Sequence, residues 1–169
     1  DFEIMAPVGS YESLHAAIDA GADAVYFGVE GLNMRARSSV NFTLADLHEI
    51  ARVCAAAGVK SYLTVNTIMY DADIPVCHAV IDAARDAGLS AIIASDIAAI
   101  LYARSIGVEV HISTQANISN IEAVRFYAQW ADVVVLAREL SMDQVAAISA
   151  AIRRDNITGP SGRPVRIEM

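Results

Sequence analysis

Hydrophobic and polar positions repeat one arrangement along the chain, in which an amphipathic helical stretch ends at a glycine and a short apolar stretch follows. The repeated stretches are AAIDAGADAVYFGV, RVCAAAGVKSYLTVN, DAARDAGLSAIIASD and YARSIGVEVHISTQ, with FYAQWADVVVLAREL as a variant that lacks the glycine. A glycine at a helix end supplies the left-handed conformation that closes the helix, and the Val- and Ile-rich stretch after it favours a β-strand. The pattern therefore predicts strands that alternate with helices.

We predict seven strands, at residues 3–6, 24–28, 61–66, 91–95, 108–113, 133–137 and from Val165 onward. Four of the intervening helices are preceded by a residue that can cap a helix N-terminus, namely Ser10, Thr43, Ser119 and Ser141. The turn-rich stretch ITGPSGRP is predicted to be a loop within the fold.

Strand–helix alternation of this kind predicts an α/β fold, a parallel sheet with helices outside. No GxGxxG or GxxxxGK[ST] motif stands at a strand–helix junction, which removes the usual evidence for an open nucleotide-binding sheet. Polar residues at the ends of almost every strand favour a TIM barrel, and a full (β/α)8 barrel needs about 250 residues. We therefore predict that residues 1–169 form a single, incomplete TIM-barrel-like domain of about seven strands, a fragment of a longer protein.

Composition narrows the classes of protein. The chain is 55% hydrophobic, and its net charge of -8 disfavours a stand-alone nucleic-acid-binding module, although a local basic patch is still compatible with it. No apolar run approaches the length of about 18 residues that a membrane-spanning helix needs, so we expect no membrane partner and a cytoplasmic location. Cys54 and Cys77 form no CxxC pair and are expected to be buried small side chains.

The stretch that runs into HISTQANISN has an apolar row opposite a polar row. The apolar row is Val108, Val110 and Ile112, and the polar row is Glu109, His111, Ser113 and Gln115. In a barrel strand the apolar row packs on the helices, while the other row points inward and rises toward the mouth. A buried polar group without a hydrogen-bond partner costs about 1–3 kcal/mol. We therefore expect these side chains to form hydrogen bonds with one another, with water or with a ligand.

Other strand ends supply further candidates by the same alternation. Asn66 ends an inward row, Asp96 is predicted to end another, and Arg138 is predicted to reach the mouth beside Glu139. The loop after the second strand contains two arginines in alternation, and paired guanidinium groups suit a carboxylate or a phosphate. We assign catalytic roles to His111, Gln115 and Asn66, and substrate binding to Arg35, Arg37, Arg138, Glu139, Asn33, Ser113, Asn117 and Asp96.

Each of these residues also has a structural interpretation. His111 is equally a structural hydrogen-bonding residue, Asp96 a helix cap, and Arg138 an ion-pair partner of Glu139. For the two arginines in the loop after the second strand, the structural interpretation is a pair of solvent-exposed charges without a binding role. The candidate residues share a position at the C-terminal ends of strands. This favours a functional site, because scattered polar residues would not collect there.

APVGSYESLHAAIDAGADAVYFGV, NMRARSSVNF, YLTVNT, HISTQANISN and VVLARELS together resemble the collagenase-like peptidase family U32, in order and over nearly the whole chain. The resemblance implies a barrel-like N-terminal domain, followed by a segment of the HGALC type and further cysteines that bind a [4Fe-4S] cluster in several branches. The sequence stops at RIEM, before any such segment. We therefore expect no cofactor in this region and a [4Fe-4S] cluster in the full-length protein.

The resemblance implies two kinds of activity. One is proteolysis, including collagen degradation, and the other is hydroxylation of a tRNA uridine or a 23S rRNA cytidine with prephenate as the oxygen source. Neither HExxH nor GxSxG is present, whereas a polar pocket with arginines fits a small anionic substrate. We therefore favour RNA hydroxylation, with the region alone inactive. The alternatives are a peptidase that acts on protein substrates and a non-catalytic scaffold, which would self-associate through exposed barrel edges.

Overall fold

The computed structural model describes residues 2–30 and 42–169, in which strands and helices alternate. The strands are β1 (Met5–Pro7), β2 (Ala24–Gly28), β3 (Lys60–Val65), β4 (Ala91–Ala94), β5 (Val110–Ile112), β6 (Val133–Val135) and β7 (Arg166–Glu168). The helices are α1 (Tyr11–Asp19), α2 (Leu47–Ala57), α3 (Ile74–Ala87), α4 (Ile97–Ser105), α5 (Ile121–Tyr127) and α6 (Met142–Arg154). Short 3-10 turns span Leu44–Asp46, Asp71–Asp73 and Thr114–Ala116.

The seven strands form one parallel sheet in which each strand lies beside the next one in sequence, from β1 to β7. The sheet is curled, since Arg166 of β7 lies 3.8 Å from the carboxylate of Glu3, two residues before β1, and the two edges therefore approach each other. This is an incomplete TIM-barrel-like fold, as the sequence predicted. Self-association through the edges of β1 and β7 stays a prediction.

Several predicted boundaries differ from those in the structure. Four predicted strands are longer than the observed ones, namely those at residues 3–6, 91–95, 108–113 and 133–137. Ser10 and Ser141 cap α1 and α6 as expected, by accepting hydrogen bonds from the backbone amides three residues later. The prediction that Ser119 caps the next helix is wrong, because Asn120 accepts the bond from the Ala123 amide.

Two layers of side chains pack on the two faces of the sheet. The larger core lies between sheet and helices and includes Ile92, Ile112 and Val134, all fully buried. A smaller cluster of Ala24, Tyr62, Ala91 and Ile93 lies on the inner face of the curled sheet. Alternation along each strand thus assigns one row to each face.

Glycine closes two of the helices that return the chain to the sheet. Gly58 and Gly88 follow α2 and α3 with φ of 69° and 77°, in the left-handed region where a side chain would be strained. Within residues 2–30 and 42–169, no helix has the length and apolar character needed to cross a membrane.

Candidate functional site

The inward faces of the strands and the segments after their C-terminal ends surround one cavity of about 1870 Å³. Its lining includes five of the residues that the sequence proposed as site residues, namely Asn66, His111, Ser113, Gln115 and Arg138. Parallel strands place their C-terminal ends at the same edge of a sheet, which explains why residues so distant in sequence meet here. The predicted gathering of these side chains is therefore present.

At the mouth of the cavity, Ser113 connects β5 to β3. Its hydroxyl oxygen accepts the backbone amide of Gln115 at 3.3 Å, which begins the turn after β5, and lies 3.4 Å from the side-chain nitrogen of Asn66. The hydroxyl of Ser95 in turn donates to the backbone carbonyl of Asn66 at 3.3 Å. The mouth thus presents amide and hydroxyl groups from three adjacent strand ends, a set suited to binding polar groups.

His111 lies deeper in the barrel than Ser113, and its residue is only 2% exposed. The Nε2 atom lies 3.0 Å from a carboxylate oxygen of Glu109, and the ring packs edge-on against Tyr62 with centroids 4.6 Å apart. The Nδ1 atom is buried and has no hydrogen-bond partner among the described residues. Glu109, His111 and Ser113 thus each have a hydrogen-bond partner, whereas this nitrogen of His111 has none among the described residues.

A network of charged groups lies below His111, at the N-terminal end of the barrel. Glu3 accepts hydrogen bonds from Lys60 and, at 2.6 Å, from the hydroxyl of Tyr62. Arg166 lies 3.5 Å from the carboxylate of Glu109. The hydrogen bond from His111 is the main reason why the pKa of Glu109 is below its ordinary value, against the opposing effect of burial. Burial would raise the pKa of Glu3, but its hydrogen bonds to Lys60 and Tyr62 outweigh burial and lower it.

The sequence analysis did not assign a role to this network. The available signal was Glu109 itself, a carboxylate that occupies the same inward row as His111 in an otherwise apolar strand. Glu168 of β7 was also missed, and it lines the same cavity. Burial raises its pKa above the ordinary value, against the opposing effect of His111.

Some predicted site residues lie elsewhere. The prediction that Asp96 ends an inward row is wrong, because Ile92 and Ala94 of the same row pack in the core between sheet and helices. Asp96 instead caps α4 through the amide of Ala98 at 2.9 Å, and it accepts the amide of Met69 at 3.1 Å. Asp96 therefore caps a helix, as its structural interpretation stated, and its role in substrate binding stays a prediction.

The segment after β6 also differs from expectation. The row of Val134 and Leu136 faces the helices, yet Arg138 still lines the cavity because the strand ends at Val135 and the chain turns. Arg138 and Glu139 are exposed and form no ion pair within the described residues. Asn117, in the left-handed conformation, and Glu139 are not among the residues that line the cavity. Asn33, Arg35 and Arg37 lie outside the described residues.

A metal centre has no ligand set in the described parts of the chain. No three side chains of His, Cys, Asp or Glu there are grouped so that they could hold an ion. Cys54 and Cys77 are buried free thiols, and burial raises the pKa of Cys77 to about 11. These residues do not fit an iron–sulfur cluster, which requires several thiolate ligands at one place.

Comparison with known proteins identifies the fold and its relatives. A model of peptidase family U32 matches residues 9–158. The chain belongs to peptidase family U32. A solved U32 peptidase has the same fold, with a TM-score of 0.72 and 16% identity over 89% of this chain and 65% of that one.

Two U32 relatives have names that indicate different activities. A protein of Porphyromonas gingivalis named collagenase is 71% identical over the whole of this chain, which spans 41% of that relative. A Bacillus subtilis protein named tRNA hydroxylation protein is 36% identical over 82% of this chain, which spans 33% of that relative. This U32 chain therefore spans less than half the length of both relatives.

Proposed function

We propose that the full-length protein hydroxylates RNA, and that this region forms the pocket for a small carboxylate, such as prephenate, that supplies the oxygen. The observation that carries the proposal is a single cavity whose lining includes the amide of Asn66, the hydroxyl of Ser113 and the exposed residue Arg138. A guanidinium group offers two parallel donors to a carboxylate, and the neighbouring polar groups offer further hydrogen bonds. The tRNA hydroxylation relative makes tRNA the first substrate to test.

The geometry of Ser113 and His111 argues against a serine nucleophile at Ser113 that this histidine would activate. A serine nucleophile needs a base within hydrogen-bond reach of its hydroxyl. The hydroxyl of Ser113 is bound to Gln115 and Asn66, whereas the imidazole of His111 is bound to Glu109. Both cysteines are buried, with pKa values raised by burial, and so are not activated thiolates.

A redox cofactor is the remaining requirement for hydroxylation. The described residues do not fit a [4Fe-4S] cluster, so we propose that its ligands come from the part of the full-length protein that this chain does not span. The contribution of the present region is to bind and orient the small substrate. Asn33, Arg35 and Arg37 complete the proposed anion-binding set.

The experiment compares tRNA and 23S rRNA nucleosides, by mass spectrometry, from cells with and without the full-length gene. We expect a hydroxylated nucleoside to disappear from tRNA on deletion and to return with the wild-type gene. The variant Arg138→Ala should restore about 10-fold less product or lower, because a charge-assisted hydrogen bond contributes about 1.5–3 kcal/mol. Arg52→Ala is the matched control, since Arg52 is an exposed arginine on α2, paired with Glu49 outside the cavity.

The second candidate function is proteolysis, which the collagenase relative at 71% identity favours. Unchanged nucleosides in both RNAs, together with collagen peptide cleavage by the purified full-length protein, would establish proteolysis instead. Loss of a hydroxycytidine from 23S rRNA alone would keep the proposed reaction and change its substrate.

A further inference from the structure

The contact between Glu109 and His111 determines where the imidazole carries its proton. A carboxylate can only accept hydrogen bonds, so the Nε2 atom that lies 3.0 Å from Glu109 must be the donor. The pKa of Glu109 is lowered by this contact, which keeps the carboxylate charged near neutral pH. A neutral His111 therefore has its proton on Nε2 and a lone pair on Nδ1.

That lone pair has no donor in the described protein. Nδ1 of His111 is buried and unpaired, although the ring lines the large cavity. A buried polar atom without a partner costs about 1–3 kcal/mol, so its retention calls for an explanation. The residues that face the ring do not supply a donor. The hydroxyl of Tyr62 is bound to Glu3, and Arg166 contacts Glu109 and Glu3.

We infer that Glu109 is a positioning residue for His111, and that Nδ1 of His111 accepts a hydrogen bond and then a proton from an O–H or N–H group of the molecule bound in the cavity. In this step the O–H or N–H bond breaks, its electron pair stays on the substrate atom, and an Nδ1–H bond forms. Glu109 offsets the positive charge that the ring acquires. The inference rests on the proposed cavity as the substrate site, and it deepens the proposed function by naming the proton acceptor.

A carboxylate–imidazole pair of this type fixes both the tautomer and the orientation of a base. Glu168 lines the same cavity. Burial raises the pKa of Glu168, and the interaction with His111 opposes this effect. Because His111 and Arg138 line one cavity, the substrate class of this inference has an O–H or N–H group for His111 and, under the proposed function, an anionic group for Arg138.

The first measurement is the tautomer of His111 in the full-length protein, labelled with ¹⁵N at histidine. The variant His111→Gln identifies its resonances among those of the other histidines. We expect the wild-type ring to be protonated on Nε2 at neutral pH. In Glu109→Gln the amide group can donate to Nε2, and the proton should move to Nδ1. Glu3→Gln is the matched control, because it removes a charge from the same network without touching the imidazole.

The second measurement is turnover of RNA by the same proteins. Glu109→Gln should lower kcat about 100-fold or more, the usual effect of losing a general base, with KM within about threefold of wild type. Glu3→Gln should keep kcat within about threefold. Unchanged resonances of the other histidines show that each variant is folded.

Three results would overturn the inference. One is a wild-type His111 protonated on Nδ1, and another is a Glu109→Gln protein with an altered tautomer and normal turnover. The third is an equal loss of turnover in both variants with the tautomer unchanged, which would mean that the network acts only through stability. If wild type does not hydroxylate RNA, the proposed function fails. The same variants are then compared in peptide cleavage, so the role of Glu109 is still decided.

Discussion

Replacing Tyr62 by Phe tests the charged network that holds the N-terminal end of the barrel. The hydroxyl of Tyr62 donates to Glu3 at 2.6 Å from a ring that is 2% exposed. A hydrogen bond to a charged group contributes about 1.5–3 kcal/mol. The side chain of Glu3 is 27% exposed and keeps its bond to Lys60, so water compensates part of the loss. We therefore expect Tyr62→Phe to lower the free energy of unfolding by about 1–2 kcal/mol near neutral pH.

The effect should depend on pH in a defined direction. The pKa of Glu3 in the folded protein is below its ordinary value of 4.5, because hydrogen bonds from Lys60 and Tyr62 outweigh the effect of burial. A lowered carboxyl pKa stabilises the folded state above the ordinary value, and this contribution is lost as the pH falls through the folded pKa. Neutral hydrogen bonds are roughly half as strong as charged ones, so the cost of Tyr62→Phe should fall to roughly half in acid.

Urea unfolding of wild type and Tyr62→Phe near pH 7 and below the folded pKa of Glu3 measures both quantities. Tyr102→Phe is the matched control, since its hydroxyl also donates to a carboxylate, Asp82, at 3.0 Å. That pair lies on the outer helices, with the side chain of Asp82 39% exposed, and should cost less than about 1 kcal/mol. An equal cost of Tyr62→Phe at both pH values, or equal costs of the two variants, would refute the reasoning.

Three further predictions follow from individual contacts. Gly159→Ala should lower the free energy of unfolding by about 1–3 kcal/mol in urea titrations, because the new Cβ would lie 2.4 Å from a carboxylate oxygen and 2.9 Å from the Cα of Asp132. Asp96→Ala should cost about 1 kcal/mol of stability through loss of a helix cap, and a large loss of substrate affinity instead would show a role in binding. Cys54 and Cys77 should react with iodoacetamide only after unfolding, since both thiols are buried and burial raises their pKa values; rapid labelling of the native protein would contradict this.

Alternation of apolar and polar residues predicted the position of some site residues correctly and of one, Asp96, wrongly. Alternation within β5 predicted from sequence that His111 and Ser113 lie on the inward row, and the structure places both on the cavity. The inward assignment of Asp96 was wrong, because its row of Ile92 and Ala94 packs against the helices, where Asp96 caps α4. Alternation sorts the residues of a strand into two rows, but in β4 both rows are apolar and buried, so the pattern does not say which row faces the helices.

The order of apolar and polar residues, with glycines at helix ends, was sufficient to determine the alternation of strands and helices and which residues of a strand share one side of the sheet. These properties depend on local backbone geometry and on burial, both of which leave a periodic pattern in the sequence. The partners of Glu3, and the contact of Arg166 with Glu109, were decided only by tertiary structure. Glu3, Lys60, Glu109 and Arg166 are far apart in the chain, and they meet because the sheet curls and carries alternate strands toward one another. Curvature of a sheet depends on every strand together, so no single stretch of sequence records it.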